Sequence, residues 1–193
     1  MLSLPTAPYH EDAVAAYIRT FSQKHDLQVK EDLYGNLVIR YRNGNRPKPV
    51  VLSSHMDHPG FEVLGVDGHE VTAAWLGACD SRHFPGSRVM VISDGIETPG
   101  QVTTTLDQNS IFSIKTNQEL KQKEGAFGFW NLETCIFNSD LISTKSADNL
   151  ASCAVILATL ERLCRQNSKA DLWGLFTRAE EVGFIGAGGI VES

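Results

Sequence analysis

The apolar run Val50-Val51-Leu52 passes directly into Ser53-Ser54-His55-Met56-Asp57-His58-Pro59-Gly60, and no other passage constrains the chain as tightly. A short continuous apolar run bounded by turn residues suits a strand buried on both faces, which predicts a central strand of an open sheet. His55 and Asp57 then fall where that strand leaves the sheet, the edge at which open α/β sheets keep their ligands. Side chains two apart in extended backbone share a face. Asp57 is therefore within reach of one imidazole nitrogen of His55, leaving the other for a metal.

Upstream, Val14, Tyr17, Ile18 and Phe21 recur at helical spacing between His10 and His25 and predict an amphipathic helix. Residues 27–29 and 37–41 flank Tyr34-Gly35-Asn36 and predict a β-hairpin, followed by a polar loop over 42–48. After Gly60 the pattern changes. Short β-type runs at 61–66, 70–75, 88–92 and 101–105 are separated by Asp67-Gly68, Pro85-Gly86, Asp94-Gly95 and Pro99-Gly100, without a helical period. Such spacing predicts a small β-barrel or sandwich. The polar stretch 115–124 suits a short helix or a loop.

The α/β pattern returns at Leu141. Cys153, Ile156, Leu157, Leu160, Leu163 and Cys164 mark the buried stripe of a helix over 149–165, with Asp148 at its start, where an aspartate can also serve as a plain N-cap. A strand over 172–177 follows and ends in Arg178-Ala179-Glu180-Glu181-Val182-Gly183. A right-handed parallel crossover between the two strands brings their ends to one edge of the sheet. His55, Asp148 and the glutamate pair then converge, a donor set suited to zinc, manganese or cobalt. Of two adjacent glutamates, one can bind metal while its neighbour moves a proton.

Charge and cysteine usage narrow the field. The net charge is -6, with seventeen basic against twenty-three acidic residues and no basic cluster. That argues against nucleic acid or an anionic membrane as partner and favours a peptide or small molecule. No apolar stretch has the length of a membrane span and no signal-peptide core follows Met1, so the cytoplasm is the expected location. Cys79, Cys135, Cys153 and Cys164 form no Cys-x-x-Cys pair and are expected as reduced thiols. His58, His69, His83 and the three tryptophans, Trp75, Trp130 and Trp173, carry no expected role beyond packing.

His55-Met56-Asp57-His58-Pro59-Gly60, Lys145-Ser146-Ala147-Asp148-Asn149 and Thr177-Arg178-Ala179-Glu180-Glu181-Val182-Gly183 together resemble the three successive motifs of the tetrahedral, glutamyl-type aminopeptidases of the dinuclear-metal exopeptidase clan. The resemblance implies an α/β fold, a sheet flanked by helices, interrupted just after the His-x-Asp strand by a small β-barrel used in oligomerisation. It places the discontinuous catalytic domain at 1–61 and 139–193 and the insert at 62–138. It further implies two divalent ions, zinc or else cobalt or manganese, a peptide substrate and a homo-oligomer. His55 would bind one metal, Asp57 orient it, Asp148 bridge both, Glu181 bind the second, and Glu180 act as general base and acid. The peptide bond between Asp148 and Asn149 would be cis.

The family supplies two further ligands, an acidic residue on the next strand and a histidine nearer the C-terminus, which would lie beyond Ser193. The chain is thus expected to be an N-terminal part of a longer enzyme, inactive alone and presenting an unpaired sheet edge. Asn149 and Leu150 replace the second aspartate and the arginine typical of relatives, and His58-Pro59 replaces the commoner Glu-Val or Glu-Ile. Those departures leave the aminopeptidase subtype open. A deacylase or carboxypeptidase of the same clan, or a non-catalytic assembly module, are the alternative functions.

Overall fold

The computed structural model describes residues 1–45, 48–121, 124–133 and 135–192. Helix α1 (Asp12–Lys24) precedes β1 (Gln28–Glu31), β2 (Leu37–Asn43) and β3 (Val50–His55). The insert then runs through β4 (Gly60–Asp67), β5 (Glu70–Leu76), β6 (Arg88–Ser93), β7 (Ile96–Val102), β8 (Ile111–Thr116) and β9 (Phe127–Trp130). A two-stranded hairpin, β10 (Ile136–Asn138) and β11 (Leu141–Ser143), leads to α2 (Ser152–Gln166), β12 (Ala170–Thr177) and α3 (Ile185–Glu192).

Four strands form a mixed sheet in the order β1-β2-β12-β3. Strand β12 runs antiparallel to β2 and parallel to β3, with Leu172 opposite Val50 and Thr177 opposite His55. The expected crossover through α2 is therefore present, and the ends of β3 and β12 lie side by side, joined by Met56 N–H donating to the Thr177 carbonyl at 2.8 Å. The alternation Leu37, Ile39 and Tyr41 on β2 matches Phe176, Gly174 and Leu172 across the ladder. That face is covered by Val14 and Ile18 of α1 and by Ile156 and Leu160 of α2, in one continuous core. Each such side chain contributes about 1.5–3 kcal/mol on burial, which is why two amphipathic helices hold to the sheet. On the other face Arg40 stacks over Trp173 and makes a bidentate pair with Asp171, and Trp173 stays half-buried.

The structure corrects two expectations about strands. Strand β3 is not central: it ends the sheet, no described strand pairs with its far edge, and Val50 and Val51 are 58% and 52% exposed. An apolar run reports that a strand wants cover on both faces, not which neighbours supply it. In the insert, Pro99-Gly100 is no turn but lies inside β7, paired with Met90 and Val89. The turn is Asp94-Gly95, both at positive φ (51° and 73°), the two-residue hairpin geometry that starts the next strand at once at Ile96.

The insert closes into a barrel in the order β4-β5-β8-β7-β6-β9, two strands more than the four β-type runs suggested. Its core is aromatic, with Phe61, Trp75, Phe84 and Phe112 meeting edge to face. The stretch after β8 holds no helix among its described residues; Gln122 and Lys123 lie outside them. Closure demands bare backbone positions: a Cβ at Gly128 would overlap the Phe61 ring and the Met90 carbonyl oxygen, and one at Gly60 the Gly128 carbonyl oxygen. Gly128→Ala is accordingly expected to lose about 1–3 kcal/mol, read as a lowered urea midpoint with an unchanged slope.

Candidate metal centre

Three chain segments meet at the shared edge of β3 and β12. His55 is the last residue of β3, 6% exposed, and its ring is fixed from both sides. Nδ1 lies 3.0 Å from the Asp57 carbonyl oxygen and 3.4 Å from its carboxylate, while Nε2 faces Asp148 Oδ1 at 3.0 Å and Glu180 Oε2 at 3.7 Å. Because a carbonyl only accepts, Nδ1 carries the proton, and Nε2 is the nitrogen turned toward the carboxylates.

Asp57 does more than the sequence suggested. Its carboxylate is fully buried and accepts the backbone N–H groups of Glu180 and Glu181, each at 3.1 Å. It therefore fixes the glutamate pair as well as the imidazole, and the shorter contact to the ring comes from its carbonyl. Burial pushes its pKa up, but the His55 ring and the two N–H donors outweigh burial and hold it below the usual carboxylate range.

The glutamate loop is clamped from below by residues that no local pattern announced. Glu11, 1% exposed at the start of α1, accepts Ala179 N–H at 2.9 Å and pairs with Arg178 Nε at 2.7 Å. Asn36 Oδ1 accepts Arg178 N–H at 3.0 Å, and its Nδ2 donates to the Gly186 carbonyl at 2.9 Å. In sequence Glu11 is one acid in a polar stretch and Asn36 one residue of a turn. Both gain their role only from partners more than 140 positions away.

Asp148 lies in a kinked helical turn (Ala147–Ala151) that precedes α2, with non-helical φ/ψ at Asp148 and Asn149, and the Asp148–Asn149 peptide is cis. No side chain caps either helical start, so the N-cap alternative drops out. The Asp148 carboxylate is 84% exposed and open on the side away from His55.

One ligand atom each of His55, Glu180 and Glu181 lie within 4.8 Å of one another, and Asp148 adds a fourth donor beside the imidazole. The imidazole answers this charge by holding a proton. Burial lowers the His55 pKa, but Asp57, Glu180 and Asp148 together raise it to about 9. Burial raises the Glu181 pKa, and the neighbouring carboxylates raise it further against the opposing pull of His55. An imidazole nitrogen ringed by carboxylates, with surplus negative charge in a half-buried cleft, is a donor set that fits a divalent cation.

Fold and site define a class: an α/β domain with an imidazole–carboxylate cluster at one sheet edge, interrupted after the imidazole strand by a closed β-barrel. The particular family follows from comparison, because the model of the M42 glutamyl aminopeptidases matches residues 35–193, and the chain belongs to that family. Similar solved structures include an aminopeptidase from the archaeon Desulfurococcus kamchatkensis, at 20% identity and a TM-score of 0.80 over 98% of this chain and 56% of that one. Another is the Pyrococcus horikoshii TET1 peptidase, which can assemble into a tetrahedron or a large octahedral shell (19% identity, TM-score 0.77, 97% and 62%). A Thermotoga maritima endoglucanase also matches (21% identity, TM-score 0.74, 92% and 57%). At such identities the likeness establishes the fold. The chain spans 56% to 62% of the length of these structures.

Proposed function

We propose that this chain carries the N-terminal half-site of a metal-dependent aminopeptidase. The observation that carries the proposal is the convergence of His55 Nε2 with Asp148 and the Glu180–Glu181 pair at one sheet edge. His55, Asp148 and Glu181 would hold the metal, with Asp148 shared between two divalent ions, zinc first and cobalt or manganese next. When bound, such ions polarise a peptide carbonyl and acidify a water. Asp57 keeps the His55 ring and the glutamate backbone in register. Glu180, its Oε2 3.7 Å from His55 Nε2, would act as general base and acid, taking a proton from water and giving it to the leaving amine.

The peptide and the partners belong to the same proposal. Exposed Ile96, Leu132, Ile136 and Phe137 support association of several copies through the insert. Residues 62–138 would be the module that carries this assembly, with 1–61 and 139–193 as the catalytic part. Among the described residues no helix is long and apolar enough to cross a membrane, and four free thiols suit the reducing cytoplasm.

Zinc titration and hydrolysis of an aminoacyl-nitroanilide test the assignment. In a complete enzyme carrying this half-site, Glu180→Gln is expected to retain zinc and lose about 100-fold or more in turnover, the usual worth of a general base, whereas Glu181→Gln is expected to lose zinc. The reverse pattern would exchange the two roles. A chain indifferent to zinc would be an assembly module instead.

A further inference from the structure

Ser54 and His55 are neighbours on β3, and neighbouring residues of a strand turn their side chains to opposite faces of the sheet. The imidazole faces the carboxylate cluster. The Ser54 hydroxyl, in a residue 4% exposed, faces the start of α2 instead, where it donates to the Asn149 carbonyl at 2.9 Å. One bond thus ties the residue before the imidazole to the residue after the Asp148 carboxylate.

The protons of this junction can be counted. A carbonyl only accepts, so the single Ser54 proton is committed to Asn149 and the hydroxyl oxygen is left as an acceptor. Cys153, buried in the first turn of α2, places its Sγ 3.3 Å from Ser54 Oγ and 3.2 Å from the His55 carbonyl oxygen, and its one proton serves those two acceptors. Strand β3, the kinked turn and α2 therefore meet at one hydroxyl.

Asp148 depends on this junction for its place. Its carboxylate is 84% exposed, and Leu150 seats the turn in the apolar core, a contact that is non-directional and so does not set register along β3. Among the described residues two hydrogen bonds join the 147–151 turn to β3: the Asp148 carboxylate to His55 Nε2 at 3.0 Å, and Ser54 to Asn149. An ion held by Nε2 and the carboxylate would stand in place of the first. The second uses no ligand atom and outlasts metal binding.

We propose that Ser54 is a positioning residue of the metal centre: its hydroxyl fixes the register of the Asp148 turn against β3, so that the Asp148 carboxylate and the His55 imidazole address the same ion. The strut follows from the hydrogen bonds themselves. Its purpose rests on the proposed metal centre.

Two readouts on this chain, one without metal, test the assignment. In the metal-free chain the His55 ring signals are followed by 15N–1H correlation, and Ser54→Ala is expected to move them toward their position in Asp148→Ala. With cobalt as the probe, Ser54→Ala is expected to lose about tenfold in affinity, the lower end of what removing a supporting partner costs, and to alter the visible absorption of the bound ion. Ser54→Thr, which keeps the hydroxyl, should stay within about threefold of the parent. Should Ser54→Ala not fold, Ser54→Cys, which keeps the volume and weakens the donor, carries the same comparison. Cys153→Ala is the packing control: it empties a buried position at the same junction but leaves the Ser54–Asn149 bond, so the melting temperature should fall while ring signals and cobalt spectrum stay parental. Parental ring signals or parental cobalt binding in Ser54→Ala would overturn the proposal. So would a Cys153→Ala chain that loses both, since packing alone would then account for the effect. A Ser54-dependent ring signal in a chain that binds no cobalt would keep the strut and overturn the metal centre as its purpose, whereas cobalt binding that survives Ser54→Ala would remove the role of Ser54 and leave the metal centre.

Discussion

Replacing His55 with alanine is expected to weaken zinc binding by about a hundredfold or more, a larger loss than the 10- to 100-fold that removal of a mere supporting partner costs. His55 is the sole nitrogen donor of the cluster, and its ring is held on both sides, so no other described side chain can take its place. Because neighbouring carboxylates raise the imidazole pKa to about 9, zinc must displace a proton to bind at neutral pH. Affinity should therefore climb roughly tenfold per unit of pH until it levels near that value. In the metal-free chain the sign is opposite. The folded pKa lies above the unfolded value of 6.5, so the protonated ring contributes stability that is complete below pH 6.5 and is lost as the pH rises through about 9. At 1.36 kcal/mol per pKa unit the contribution is about 3 kcal/mol. Calorimetric titration at several pH values, with thermal melts of both forms, checks these trends. A zinc affinity that is flat with pH and unchanged in His55→Ala would dismantle the metal centre.

Glu11→Ala is expected to cost about 2–3 kcal/mol of folding stability and to loosen the glutamate loop. The carboxylate accepts two backbone N–H groups, from Tyr9 and Ala179, and pairs with Arg178 Nε; the substitution removes all three contacts, while Arg178 Nη2 keeps its hydrogen bond to the Tyr9 carbonyl. The Arg178 side chain is 30% exposed, so part of its charge stays hydrated, and the loss falls below the about 3–5 kcal/mol of a fully buried broken pair. Burial raises the Glu11 pKa in spite of Arg178, a sign that the ion pair does not fully offset the cost of dehydrating the acid. Glu11→Gln, which keeps the shape and one acceptor, should for that reason lose no more than about 1 kcal/mol. Urea denaturation of the two variants separates the contributions. Equal losses would mean that charge, not the pattern of acceptors, holds the loop.

The site was legible in the sequence to the extent that its chemistry was local. His55 and Asp57 could be placed at a strand end, and Glu180 and Glu181 after another, because apolar runs announce strands and the residues just past them are fixed by the strand's length. The crossover rule then joined two ends that lie 122 positions apart in the chain, and the ladder pairs Thr177 with His55 as that rule requires. The barrel was legible as a change of period, though two of its strands, β8 and β9, fell in stretches whose polar and glycine residues hid the alternation.

What the sequence by itself determined is the set of elements and the inventory of donor side chains, since periodicity and turn chemistry are properties of neighbouring residues. Only the tertiary structure decided that Asp57 clamps the glutamate backbone, that Glu11 and Asn36 support the loop from beneath, and that β3 ends the sheet among the described strands. Those facts depend on burial and on partners far away in the chain. A carboxylate or an imidazole acquires its pKa, its hydrogen bonds and its use from what is packed around it, and residue order alone does not carry that information.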